Sequence, residues 1–370
     1  MRELELFKFI EKHGNNWKEV ISLPPYCIKV IEEDGLTLLK YDLIESDFNQ
    51  KVVHECRGII LDGNNNVVCY PFDKFFNYSE CFASKIDWSS ACVQEKIDGS
   101  IMKVYYYNNE WKVATNAKIN AFNAQLMPDA GNENVPFSSF GDLFEEARKS
   151  AGLDYNNLNK DYTYIFELVS PYNKVVIPYD EIKIYHIGTR NNKTLLEEIV
   201  DIGVEKPQLY PLSTAEECLT AAKNLPSKKE GFVVVDKFFN RVKIKNPVYV
   251  AFHMFKSNGE PSERLLVAVI RENEVSEVLG YFPEYSELIT NFKNAVDSII
   301  NGLTSGVQEI SKMTFNSQKE FALAVKDRPF SHFYFLWNKD KTLDPKEWLW
   351  NNSDEKVREL INLELTRNKM

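Results

Sequence analysis

Glu95-Lys96-Ile97-Asp98-Gly99-Ser100-Ile101-Met102-Lys103-Val104-Tyr105-Tyr106-Tyr107-Asn108-Asn109-Glu110-Trp111-Lys112-Val113-Ala114-Thr115 is the stretch whose reading decides the fold. Ile101–Tyr107 and Trp111–Thr115 are short runs rich in aliphatic, β-branched and aromatic side chains, and the polar Asn108-Asn109 pair predicts a hairpin turn between them. Upstream, the same reasoning predicts strands at Leu36–Leu43, Gly58–Leu61 and Val67–Tyr70, with a second hairpin turn at Gly63–Asn66. Downstream it predicts strands at Tyr162–Val169, Lys174–Pro178, Ile182–Ile187, Gly231–Val235 and Arg241–Ile244. Helical periodicity is confined to Arg2–Lys12, Gly141–Ser150 and Thr214–Asn224 in this part of the chain. That order implies antiparallel-rich α+β architecture rather than regular βαβ alternation.

After Pro247 the character changes. Glu263–Arg271, Glu284–Asn301, Val307–Lys326 and Asp354–Asn368 read as helices, and the polar stretch Lys256–Ser262 reads as a linker. Two domains are therefore expected, 1–255 and 256–370, which suits a chain of 370 residues. With 44% hydrophobic and 26% charged residues the chain is neither disordered nor low-complexity. No internal repeat stands out. The six cysteines form no Cys-x-x-Cys pair, and His54 beside Cys56 has no second ligand pair at zinc spacing, so neither a structural zinc nor a redox pair is expected. The charged start MRELELFKFIEKHG is not a leader, and no apolar run reaches membrane-spanning length, so the expectation is a cytoplasmic chain without a membrane partner. No heptad demands a second copy, and a monomer is expected. A net charge of −10 argues against a broadly basic nucleic-acid binder.

Chemistry concentrates around Lys96-Ile97-Asp98-Gly99. A lysine there acts as a nucleophile once its amine is neutral, a state that burial or neighbouring cations favour. Asp98 would hold a ligand hydroxyl or orient the lysine, and Gly99 would let backbone approach closely. Alone, the tetrapeptide reads better as a surface hairpin turn. Its companions change that: Arg57 in ECRGIILD, Lys74 in DKFFNYSE, Glu167 in Tyr164–Leu168, Glu230 before Gly231–Val234, and the Lys243/Lys245 pair on one strand face. Each has a bland reading as a strand-end or solvated charge; five in this order do not.

These residues resemble the covalent nucleotidyltransferase superfamily of ATP-dependent ligases and RNA-capping enzymes. Lys96–Gly99 looks like its nucleotide-accepting motif, Phe166-Glu167 and Glu230–Val233 like two further motifs, and Lys243–Lys245 like the last. ECRGIILD at 55–62, DKFFNYSE at 73–80, FELVSPYNKVVIPY at 166–179 and VKIKNPVYVAFH at 242–253 resemble one branch more closely, the T-even phage RNA ligase 1 family. The resemblance covers residues 1–255. It implies a nucleotidyltransferase domain of antiparallel sheets with flanking helices, followed by a mainly helical domain that selects the RNA.

The resemblance further implies an ATP-dependent RNA ligase. Lys96 would attack the ATP α-phosphorus, AMP would pass to a 5′-phosphate end, and a 3′-hydroxyl would release it, with a broken tRNA as the RNA that the resemblance suggests. It assigns Asp98, Glu167, Glu230, Lys243 and Lys245 to catalysis with Lys96. It assigns Glu95, Gly99, Arg57, Lys74 and Lys118 to ATP binding, with Lys96, Glu167, Lys243 and Lys245 shared between the two roles. A divalent ion, Mg²⁺ or Mn²⁺, is expected on Glu167 and Glu230, directly or through water. Tyr249 and His186 read as packing residues, His253 has no assigned role, and the aromatic stretch Phe330–Trp337 reads as core. Two alternatives stand beside this reading. A DNA ligase or GTP-using capping enzyme would usually carry a β-barrel after residue 255, where helices are expected. A non-catalytic nucleic-acid-binding protein would not need the full set of lysines and glutamates. A local cluster of cations also reconciles phosphate binding with an acidic chain.

Overall fold

The computed structural model describes residues 2–367 except 44, 127–134, 174, 176, 178, 227, 248, 250–262, 272–274 and 282. The strand expected at Lys174–Pro178 falls partly outside the described residues, and the linker at 256–262 and His253 fall wholly outside them. The chain divides into two compact units, residues 1–250 and 251–370. Its fold is mixed α+β.

Three sheets build the first unit. In the first, β1 (Ile28–Glu33), β2 (Leu36–Tyr41), β3 (Arg57–Leu61) and β4 (Val67–Cys69) run antiparallel in chain order. The second contains β7 (Ser100–Tyr107), β8 (Glu110–Thr115), β9 (Tyr162–Val169) and β10 (Lys183–Asn191) in the order β10-β9-β7-β8, also antiparallel. The third is ordered β11-β6-β12-β13-β5, from β5 (Phe76–Asn77), β6 (Cys92–Glu95), β11 (Leu209–Tyr210), β12 (Gly231–Val235) and β13 (Arg241–Lys245). Among the described residues only the β13–β5 pair is parallel. Both expected hairpins form. Asn108 and Asn109 turn the β7–β8 hairpin with φ of 49° and 63°, a conformation that asparagine tolerates better than most residues.

Alternation along the strands sorts the side chains. Met102 and Val104 of β7 face a core with Phe166 and with Leu143, Phe144 and Ala147 of a helix at Phe140–Ser150. The opposite face of β7 and β8, through Tyr105 and Ala114, packs on Leu36, Leu38, Ile60 and Cys69 of the first sheet. That sheet's other side is covered by α1 (Glu5–His13) and α2 (Trp17–Ser22), which contribute Leu6, Phe9, Trp17 and Ile21. In the third sheet Val242 and Ile244 point into a core with Val93, Phe232 and the helix at Ala215–Lys223, leaving Arg241, Lys243 and Lys245 to the other face.

In the second unit the helix expected to end at Asn301 runs on: one helix spans Ser286–Ser311, and the next covers Gln318–Val325. The continuous helix expected at Val307–Lys326 is therefore broken at 312–317, where Ser317 accepts the Glu320 N–H at 3.2 Å and starts a new N-terminus. Phe330–Trp337 overlaps a helix at Ser331–Lys339 whose Phe333, Tyr334 and Trp337 are buried, as core. The helix Asp354–Arg367 is joined to Ser286–Ser311 by Ser298 Oγ donating to Glu364 at 2.7 Å. Among the described residues no helix is long and apolar enough to cross a membrane.

Candidate active site

Lys96 follows β6 directly, and its backbone N–H donates to Gly231 O on β12 at 2.9 Å. This anchor delivers the lysine to a cavity of about 340 Å³ between strands of the second and third sheets. Gly99 packs so closely on β9 that an added Cβ would lie 2.5 Å from Leu168 O. Gly231 adopts φ +144°, and a Cβ there would lie 2.2 Å from Ile244 O, so both turns beside the lysine require glycine.

Lys96 Nζ donates to Glu230 Oε2 at 2.6 Å, and Lys245 Nζ stands 3.9 Å from the other oxygen of that buried carboxylate. Glu167, Lys243 and Arg57 also line the cavity. Burial is the main force that pushes the Glu167 carboxyl up to about 8; Lys96 opposes the shift and the Glu230 charge adds to it. The Arg57 guanidinium lies 5.0 Å from the Phe75 ring centre, and its Nη1 is buried without a hydrogen-bond partner. A cation left unmatched in a cavity wall is suited to an anionic ligand. Glu95 lines the same cavity and accepts from Lys229 Nζ at 2.5 Å.

The remaining expected residues lie elsewhere. Asp98 is absent from the cavity lining. Its buried carboxylate accepts the Ile177 N–H at 2.7 Å and the Tyr249 hydroxyl at 3.2 Å, while its own N–H donates to the Tyr179 hydroxyl at 3.3 Å. It thus ties Ile177, Tyr179 and Tyr249 to the lysine turn. Lys74 lines a separate cleft, and its ammonium sits 5.2 Å from the Tyr41 and Phe48 ring centres. Lys118 is exposed on a neighbouring depression that shares Ile101 and Asn116 with the cavity. Each histidine has a partner on Nε2, Phe48 O at 2.7 Å for His54 and Thr189 Oγ1 at 2.8 Å for His186, while His186 Nδ1 is buried without a hydrogen-bond partner.

Among the described residues no group of three or more His, Cys, Asp or Glu side chains forms a metal site. Glu167 and Glu230 in one cavity nevertheless fit Mg²⁺, which takes few protein carboxylates and completes its shell with water and substrate phosphates.

Sequence reasoning overlooked several lining residues. Arg241 shares the alternating face of Lys243 and Lys245, so the signal that marked those two also marked it. Asn116 gave no signal, yet its Oδ1 is buried without a hydrogen-bond partner at the cavity wall. Lys103, one step inward from Ile101 on the same side of β7, is wholly buried and donates to Gly58 O at 2.5 Å. It braces the residue next to Arg57.

A family model described as RNA ligase matches residues 55–249, more than half of the chain. An RNA ligase of Rhodothermus phage RM378 is 28% identical over 433 aligned positions, covering 95% of this chain and 95% of that protein. A protein of Autographa californica nuclear polyhedrosis virus, described as a candidate bifunctional polynucleotide kinase/RNA ligase, is 30% identical over 357 positions. The match covers 91% of this chain and 50% of that protein, so the chain spans about half the length of that relative. Among solved structures, an archaeal ATP-dependent RNA ligase aligns over 90% of each chain with a TM-score of 0.43 and 14% identity. A Naegleria gruberi RNA ligase variant with ATP and Mn aligns over 44% of this chain and 51% of its own, with a TM-score of 0.33 and 14% identity. The chain belongs to the RNA ligase family, in the branch typified by T-even phage RNA ligase 1.

Proposed function

We propose that the protein is an ATP-dependent RNA ligase that joins 5′-phosphate to 3′-hydroxyl RNA ends through AMP carried on Lys96. The observation that supports this most is the cavity itself: one lysine on a glycine-fixed turn, two carboxylates within it, and Arg57, Lys243 and Lys245 around it.

In the first step the Lys96 Nζ lone pair forms a bond to the ATP α-phosphorus, the bond to diphosphate breaks, and the amine loses a proton. Lys96 must therefore leave its ion pair with Glu230 and become neutral before it attacks. A divalent cation shared by Glu167, Glu230 and phosphate oxygens would supply charge neutralisation there. Lys243 and Lys245 stabilise the negative charge that builds on the α-phosphate, and Arg57 holds the phosphates beyond it. Lys74, across Phe75 in the adjoining cleft, is assigned to the same phosphates and the departing diphosphate. Glu95 borders the base, Asp98 fixes the lysine turn, and Lys118 contributes phosphate attraction at the rim. A 5′-phosphate oxygen of RNA then attacks the carried phosphorus and breaks the P–N bond, returning a proton to Lys96. Finally the 3′-hydroxyl oxygen attacks the 5′-phosphorus and releases AMP and a proton. We assign residues 1–255 to these reactions and residues 256–370 to recognition of the RNA, for which a broken tRNA is a suitable substrate.

Incubation with labelled ATP or GTP and Mg²⁺, followed by a denaturing gel, tests the assignment. ATP should leave an acid-labile, alkali-stable label that Lys96→Ala abolishes. A label from GTP only, or one that survives Lys96→Ala, would contradict it. Sealing of 5′-phosphorylated RNA but not of nicked duplex DNA separates an RNA ligase from a DNA ligase.

A further inference from the structure

Next to the cavity, and separated from it by Phe75 and Arg241, lies a cleft of about 610 Å³. Its rim is the tip of the β12–β13 hairpin, where Phe238 is 66% exposed. The tip is built to hold this ring out in water. Buried Asp236 accepts the N–H groups of Phe238 at 2.9 Å and Asn240 at 3.0 Å, and also the Asn240 side-chain amide at 2.9 Å. Phe239 is forced to φ +62°, a strained conformation for a bulky residue that persists only where the surroundings enforce it. Lys237 places its ammonium 5.0 Å from the Phe238 ring centre, which adds a cation beside the stacking face.

Charge in the cleft points the same way. Each of its five acids is already engaged by a cation: Glu3 and Glu5 with Lys8 at 3.4 and 3.1 Å, Glu55 and Asp73 with Arg2 at 3.4 and 2.6 Å, and Glu197 with Arg241 at 2.6 Å and Arg190 at 3.0 Å. Lys51 and Lys74 line the cleft and pair with no carboxylate among the described residues. From this rim the outward face of β13 runs past Arg241, which Glu197 already holds, to Lys243 and Lys245 in the cavity, a run of about 13 Å. An aromatic rim followed by a line of cations suits unpaired nucleotides, whose bases stack while their phosphates track positive charge.

We propose that this cleft binds the unpaired end of the RNA being joined, with a nucleobase stacked on Phe238 and the chain led along β13 to Lys96. The proposal rests on the RNA-joining reading above. Either end of the break offers the same chemistry, an unpaired base beside a sugar-phosphate chain, so the test is run on both.

Phe238→Ala, Phe238→Trp and wild type are compared in three reactions: labelling with ATP, AMP transfer to a 5′-phosphorylated RNA, and joining of a pre-adenylylated RNA to a 3′-hydroxyl acceptor. Phe238→Ala should keep full labelling but raise the RNA concentration for half-maximal reaction by about 5- to 100-fold in one RNA arm, and Phe238→Trp should restore it. The affected arm identifies the bound end. An RNA with abasic nucleotides near that end should react as poorly with wild type as intact RNA does with Phe238→Ala, and the two losses should not add. Unchanged RNA dependence in both arms would overturn the proposal, as would a parallel loss of labelling. Wild-type protein that takes no label from ATP would instead overturn the ligase reading beneath it.

Discussion

The two units of the chain bury very different kinds of side chain. Residues 1–250 bury Glu55, Asp98, Lys103, Arg190, Glu230 and Arg241, whereas Glu364 is the only charged side chain buried among the described residues of the second unit. Taking a charge out of water costs several kcal/mol unless partners restore what is lost. A fold accumulates such groups where chemistry needs charges held in fixed directions, and most of those named line the Lys96 cavity, adjoin it or brace its walls. The helical unit has the opposite economy: Ile289, Phe292, Ile299, Leu303, Phe333 and Leu349 are buried, and Glu364 is satisfied by Ser298. Buried charge thus belongs mainly to one unit, while the other buries almost only apolar side chains among the described residues.

Substitutions on either side can break that contrast. The largest effect is expected from Glu230→Gln, which keeps the shape of the side chain but loses the charge beside Lys96. Labelling from ATP should fall about 10³-fold while thermal unfolding hardly moves. Near-normal labelling would return Glu230 to a structural role. Next in size, Phe333→Ala in the helical unit should cost about 3–4 kcal/mol of that unit's stability, measured by denaturant unfolding. At a temperature where the variant stays folded, its labelling should remain within twofold of wild type. A large drop would show that the helical unit takes part in the first step.

The smallest effect concerns pH. Burial pushes the Lys103 ammonium down to about 8; Cys69 opposes the shift, and Arg57 and Lys40 add to it to a smaller degree. Below pH 8 the lysine is charged in both folded and unfolded chains, and the cost of burying the charge is fully present. Between 8 and its ordinary value of 10.5 the unfolded chain binds more protons, so stability contributed at this site rises with pH. Relative to Lys103→Met, wild type should therefore gain about 2 kcal/mol between pH 7.5 and 9.5. A pH-independent difference would mean that Lys103 titrates as it would in water.

How much of this was legible follows from the same contrast. Lys96, Glu167, Glu230, Lys243 and Lys245 stood out because such groups rarely recur in that order by chance, and the cavity does contain all five. Strand alternation revealed the face of β13, though Arg241 on it went unread. Lys103 was invisible because a lysine in a strand ordinarily points to solvent; only the packing of two sheets buries it. Lys74 could be recognised but not located, since two of the three rings beside it, Tyr41 and Phe48, come from distant positions. The short helices Trp17–Ser22 and Lys51–Glu55 carry too few turns to establish a period, and both passed unnoticed. In the helical unit, apolar periodicity persists across the break at 312–317, so the pattern ran on where the backbone stops.

The central claim is that Lys96 is the atom-level carrier of AMP. Protein incubated with ATP and Mg²⁺, digested and analysed by tandem mass spectrometry, should carry one AMP adduct, on the Lys96 side chain, and the adduct should vanish when 5′-phosphorylated RNA is added. An adduct on any other lysine, or none at all, would contradict it.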